Sequence, residues 1–164
     1  MGIMKKKGDM SMSFGMIFSI ILIAVILVVG FIVITHFLNL KKCAEVGLFY
    51  NDLQEAIDRV WKSSSKTEQL NIILPGGIEE VCFVNFTQPM NNGDYASIKQ
   101  RYGFYNPTLF LNPPEKACDM PYQVVKHINI TRITERSNPQ CIKNEEGKTI
   151  KISKDYYESL VTVE

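Results

Sequence analysis

Met16 to Thr35 reads MIFSIILIAVILVVGFIVIT, a run without a single charged residue. At 1.5 Å per residue, a helix of about 20 residues spans roughly 30 Å, the hydrocarbon thickness of a bilayer. A helix satisfies its own backbone hydrogen bonds, so such a run can sit in lipid. Ser19, Gly30 and Thr35 are its only small or polar interruptions. A core helix seldom stays apolar on every face for this long. A secretory signal has a shorter apolar region followed by a small-residue cleavage site, and His36-Phe37-Leu38-Asn39-Leu40 offers none. The run is therefore read as a membrane helix over residues 14–40, behind a basic leader at 1–13.

Lys5, Lys6 and Lys7 precede the run, and Lys41 and Lys42 follow it. Those counts favour a cytoplasmic N-terminus weakly. The cysteines add to the argument, because Cys43, Cys82, Cys118 and Cys141 all lie after the span and none lies before it. An even set on one side points to two disulfides in an oxidising compartment. Four cysteines allow three pairings, and the sequence leaves all three open. Free thiols are the alternative. A metal site is weaker, with no C-x-x-C pair and only His36 and His127 to help. Asn85-Phe86-Thr87 and Asn129-Ile130-Thr131 match the N-glycosylation pattern, whereas Asn106-Pro107-Thr108 is blocked by its proline.

The helical signal continues past the apolar run. Cys43, Val46, Tyr50, Leu53, Ile57 and Val60 recur at steps of three and four, one apolar stripe widened by Phe49 and Ala56. The other side carries Glu45, Asn51, Asp52, Glu55, Asp58 and Lys62. No proline occurs before Pro75, and Ser63-Ser64-Ser65 is a natural stop. This predicts one helix from about Ser13 to about Ser63, with an amphipathic extension over 41–64 and Gly47 as the favoured place for a bend. The stripe Val46, Tyr50, Leu53, Ile57 and Val60 is expected to pack on the chain's own sheet. A coiled coil is the alternative, with few heptads to support it. Cys43 lies on the stripe, so a disulfide there would tie the helix to that sheet.

Beyond the helix, residues 65–164 read as a β-rich outer domain. Gln69–Leu74 and Ile78–Phe86 flank Pro75-Gly76-Gly77 as a hairpin. Asp94 is placed to cap a short helix over Tyr95–Arg101. Leu109–Leu111 is a brief strand before Pro113-Pro114, and Gln123–Ile133 alternates as another. Cys141–Lys143 and Thr149–Ser153 flank Asn144-Glu145-Glu146-Gly147-Lys148 as a second hairpin, and Leu160–Val163 is a final edge strand. The expected fold class is α+β: a long N-terminal helix on a small, mostly antiparallel sheet.

The 164 residues hold 18 basic and 17 acidic side chains, so bulk charge selects no nucleic-acid partner. Catalytic constellations are not visible. His36 and His127 read as interfacial and structural. Glu79 and Glu80 alternate on a strand, and Glu145 and Glu146 sit in a turn. G-x-S-x-G, phosphate-cradling glycine loops and H-E-x-x-H do not occur. A non-enzymatic protein without cofactor or metal is expected. Trp61, Tyr102, Tyr105, Tyr122, Tyr156 and Tyr157 are expected to fill the small core, with a binding surface as the other use.

Lys5-Lys6-Lys7-Gly8-Asp9, the apolar helix turning amphipathic, and the β-rich domain together resemble the type IV pilin superfamily, particularly archaeal pilin-like proteins with class III signal sequences. The resemblance implies that a membrane-embedded prepilin peptidase cuts between Gly8 and Asp9. Mature subunits would then leave the membrane lipid and bundle their helices, copy against copy, as a filament core. Bacterial pilins carry a glutamate five residues after the cut; Ser13 stands there, as archaeal members often allow. Ser11, Gly15 and Ser19 recur every four residues, a small-residue ridge suited to close helix approach. The other reading is a permanent single-pass surface protein whose outer domain binds a partner.

Overall fold

The structure, a computed structural model, describes residues 14–90 and 95–164. Gly8, Asp9, Ser11 and Asp94 lie outside the described residues. The fold is α+β, with a long helix and two small antiparallel sheets. Two compact units meet in sequence at Leu40 and Lys41.

Helix α1 covers Phe14–Trp61 without interruption, including Gly47. Its first part, up to Leu40, belongs to the first unit. There the large apolar side chains from Met16 to Leu40 are all exposed. The two hydroxyls turn inward: Ser19 donates to the carbonyl of Gly15 at 2.8 Å, and Thr35 to that of Ile32 at 2.9 Å. That satisfies them within the helix.

The rest of α1 is the central element of the second unit. Val46, Phe49, Tyr50, Leu53, Ala56, Ile57 and Val60 are all buried. They form one core with Val81, Phe83, Leu109, Leu111, Ile150 and Ile152. The helix closes at Trp61, two residues before the expected stop. Lys62 and Ser63 donate backbone bonds to Asp58 and Val60, and Lys154 caps the end by donating to the carbonyls of Trp61 and Ser63 at 2.7 and 3.0 Å. A cation there matches the helix dipole.

One sheet has the order β1 (Lys66–Asn71), β6 (Thr149–Lys154), β7 (Thr162–Val163). The other has β4 (Tyr122–Gln123), β3 (Leu109–Asn112), β2 (Glu80–Phe83), β5 (Gln140–Lys143). Strands β2 and β3 alternate between two cores. Val81, Phe83, Leu109 and Leu111 face α1; Cys82 and Phe110 face a smaller cluster with Val84, Phe86 and Ile98 of helix α2 (Ala96–Tyr102). Burial on both faces explains why the sequence there is continuously apolar.

Several expectations are corrected. Neither hairpin forms. The turn at Gly76-Gly77 exists, with Gly77 at φ +100°, and so does that at Gly147, at φ +79°. Each carries the chain from one sheet to the other. The two crossovers bind each other, through Ile72 N–H to Lys148 O at 3.1 Å and Asn144 N–H to Glu79 O at 2.7 Å. Turn residues mark a reversal without choosing its partner strand. Here β1 pairs along its whole length with β6, from Lys66↔Lys154 to Asn71↔Thr149. The strand expected over Gln123–Ile133 is also absent. After β4 the chain makes an isolated bridge at Ile128 and enters a short helix α3, Ile130–Ile133. Asn129 caps α3, its Oδ1 accepting from Arg132 N–H at 3.1 Å, and that capping outweighs the alternation.

Candidate functional site

The most distinctive feature is the apolar half of α1. By length and composition it is the one helix among the described residues able to cross a membrane, with mean hydropathy 3.5 over its best window. Gly15 and Ser19 of the small-residue ridge fall on it.

Within the second unit, the start of the amphipathic half is held in two ways. Cys43 is disulfide-bonded to Cys118, 75 residues on, with Cα atoms 5.7 Å apart. The Tyr50 hydroxyl donates to the carbonyl of Met120 at 2.9 Å, and burial pushes its pKa up. Gly47 lies beside the Met120 methyl, where an added Cβ would make ordinary contact. The disulfide and the hydrogen bond grip the same loop, residues 117–121. The second disulfide joins Cys82 and Cys141, directly opposite one another on β2 and β5. Glu80 lies within 4.8 Å of both sulfurs, but the two thiols are spent on each other. Glu80 instead accepts from Asn112 Nδ2 at 3.3 Å.

The far end of α1 carries two polar clusters. Arg59 pairs with Glu68, which also takes Lys66 at 3.1 Å. The Arg59 hydrogen bond holds the Glu68 carboxyl below the usual carboxylate range, against the opposing effect of burial. Asp58 accepts from Gln54 Nε2 at 2.8 Å and meets His127 Nδ1 at 2.9 Å. Burial works to raise the Asp58 pKa; the hydrogen bonds from His127 and Gln54, with the nearby charges of His127 and Lys62, bring it below its ordinary value. His127 is not in a strand. Its φ is +66° and its ring stacks on Trp61. Nothing in the local sequence of His127 announces this; only the spacing of Asp58 and Trp61, one helical turn apart, places two partners together.

The two sequons differ. Asn85 is 7% exposed. Its Oδ1 accepts from Thr87 N–H and Oγ1 at 3.1 and 2.6 Å, and its backbone is bonded on both sides by the buried Asn138. Asn129 is half-buried and opens on a cleft of about 470 Å³ with Gln88, Thr131, Arg132 and Glu135.

The aromatic residues expected in the core divide between core and surface. Tyr156 and Tyr157 are 71% and 96% exposed, and Tyr105 is 57% exposed. Tyr102 and Tyr122 are half-buried against the smaller cluster, and Trp61 packs at the edge of the main core. Composition alone does not sort these rings; the main core is filled by the α1 stripe and the strands, with Phe49, Tyr50 and Phe83 as its aromatic members.

No family model, no curated protein and no solved structure matches the chain, so its function is read from its own geometry.

Proposed function

We propose that the chain is a structural subunit of a type IV pilus-like surface filament, assembling through its apolar N-terminal helix. The observation that carries this reading is the continuity of α1. One unbroken helix is apolar on every face up to Leu40, then amphipathic and buried in a disulfide-bonded sheet domain from Val46 to Val60. In this reading the leader stays in the cytoplasm, a prepilin peptidase cuts between Gly8 and Asp9, and the sheet domain lies outside. The exposed side chains from Met16 to Leu40 first meet lipid and then the same helix of neighbouring copies. No catalysis, cofactor, metal or nucleic acid enters the reading.

A permanent single-pass surface protein is the second reading. The exposed apolar side chains from Met16 to Leu40 support it as well, since lipid alone would cover them. The N-terminal residue of the mature protein separates the two. Intact mass and terminal peptide mapping on native material should give Asp9, with filaments on the cell surface containing the chain. A terminus at Met1 or Gly2 would sink the filament reading and leave the permanent anchor.

A further inference from the structure

Phe104, Tyr105, Tyr122 and Tyr102 form a continuous run of ring contacts in the second unit, leading from the exposed Phe104 and Tyr105 to the half-buried Tyr122 and Tyr102. Phe104 meets Tyr105 edge-on at 5.7 Å, Tyr105 stacks on Tyr122 at 5.2 Å and 22°, and Tyr122 meets Tyr102 at 5.3 Å. Phe104 is 94% exposed. Exposed rings of this size normally cost solvation energy unless something covers them. Gly103–Tyr105 is a single 3₁₀ turn ended by Asn106 at φ +45°, a conformation that asparagine tolerates better than most residues. Tyr122 lies on β4, hydrogen-bonded to β3. Tyr105 is therefore stacked on Tyr122, met edge-on by Phe104 and still 57% exposed, an aromatic platform.

Tyr102 also lines a cleft of about 590 Å³, with Ser97, Gln100, Arg101, Asn112 and Glu115 along it. That volume lies in the range of small-ligand sites, and the wall mixes amide, hydroxyl and one charge of each sign. We infer that this platform and cleft bind a neutral oligosaccharide. A pyranose ring has an apolar C–H face that stacks on a tyrosine or phenylalanine ring, and hydroxyls at its edge that exchange bonds with amides and carboxylates. Arg101 and Glu115 balance in charge, so the site favours no ion. A second copy of the chain would meet the same rings, and the test separates that occupant from a sugar. The site is independent of whether α1 ends in lipid or in a filament.

The test uses the full chain in lipid nanodiscs, because maltoside detergents would compete. The probes are neutral β-1,4-linked hexasaccharides of glucose, mannose and N-acetylglucosamine, read by saturation-transfer NMR. At least one should receive saturation on its ring C–H protons. Tyr105→Ala and Phe104→Ala should each weaken binding about tenfold or more, the loss expected of one anchoring ring. Tyr105→Phe, which keeps the platform, and Tyr157→Ala, at an exposed tyrosine outside it, should leave binding unchanged. No transfer to any probe, or equal transfer in the alanine variants, would overturn the proposal. So would loss of self-crosslinking in those variants without sugar binding, which would assign the rings to contacts between copies.

Discussion

The imidazole of His127 lies flat on the indole of Trp61, with ring centroids 3.7 Å apart and planes 4° from parallel. The same imidazole meets Asp58 at 2.9 Å, and the indole N–H donates to the Ser159 carbonyl at 3.1 Å. Trp61 is the chain's single tryptophan, so its emission reports this contact. His127→Ala should change that emission and cost about 1–2 kcal/mol, from one stack and one half-exposed polar pair. Position 127 has a left-handed backbone, so His127→Gly should be less destabilised than His127→Ala. Denaturation followed at Trp61 checks both; equal stability of the two variants would contradict the backbone argument.

Asp58 and Glu68 set an acid limit. Both pKa values are lowered in the folded chain. A lowered folded pKa means the unfolded chain binds protons first as pH falls. The stabilisation is therefore complete at neutral pH and is lost through and below the ordinary carboxylate range, near pH 4. Both pairs are part-exposed, so each contributes about 0.5 kcal/mol and less at high salt. Glu68→Gln should flatten the drop in stability between pH 6 and pH 3, compared by urea titration at each pH. A drop as steep as in the parent chain would remove Glu68 from the account.

Leu53 is fully buried at the centre of the stripe. Leu53→Ala should cost about 2–5 kcal/mol through lost contacts and a residual cavity. Leu48, on the same helix but exposed, should tolerate alanine within about 0.5 kcal/mol. Paired thermal melts compare them, and similar losses at the two positions would mean that the stripe is not the packed face.

The sequons should differ in use. In a glycosylating host, glycan should be found at Asn129 and not at Asn85, whose side chain is enclosed and bonded to Thr87. Glycopeptide mass mapping of the parent, Asn129→Gln and Asn85→Gln chains decides this. Asn129→Gln should lose the added mass. Asn85→Gln should keep it, while losing stability through the broken turn. Glycan at Asn85 in folded protein would refute the distinction.

The helix and its buried face were legible because their signal is local. Val46, Tyr50, Leu53, Ile57 and Val60 sit at helical spacing, and each is buried. The short strands at Leu109 and Thr162 were legible for the same reason. Strand partners were not. Gly77 and Gly147 look like hairpin turns because a crossover between sheets needs the same left-handed residue. The pairing of β6 with β1 rather than β5 is a contact between strands far apart in the chain, and no local signal carries it. Asn129 shows a different failure, since a cap ended an alternation that otherwise read as a strand. Tyr102, Tyr105 and Tyr122 were legible as aromatic residues for core or binding surface, but their contact with one another and with Phe104 depends on the loop and edge strand that carry them.

The Cys43–Cys118 bond has a mechanical consequence. Tension arriving along α1 from its N-terminal side reaches residue 43 before any residue of the buried stripe. The covalent bond passes that load into the loop at Cys118, which Tyr50 also grips through Met120. The turns from Val46 to Val60 thus lie downstream of the load-bearing link and are shielded from being peeled off the sheet one at a time. With Cys43→Ser the same pull would act on the stripe directly, so the unfolding force in single-molecule stretching should fall. The disulfide makes the second unit behave under load as a body hung from its first helical turn.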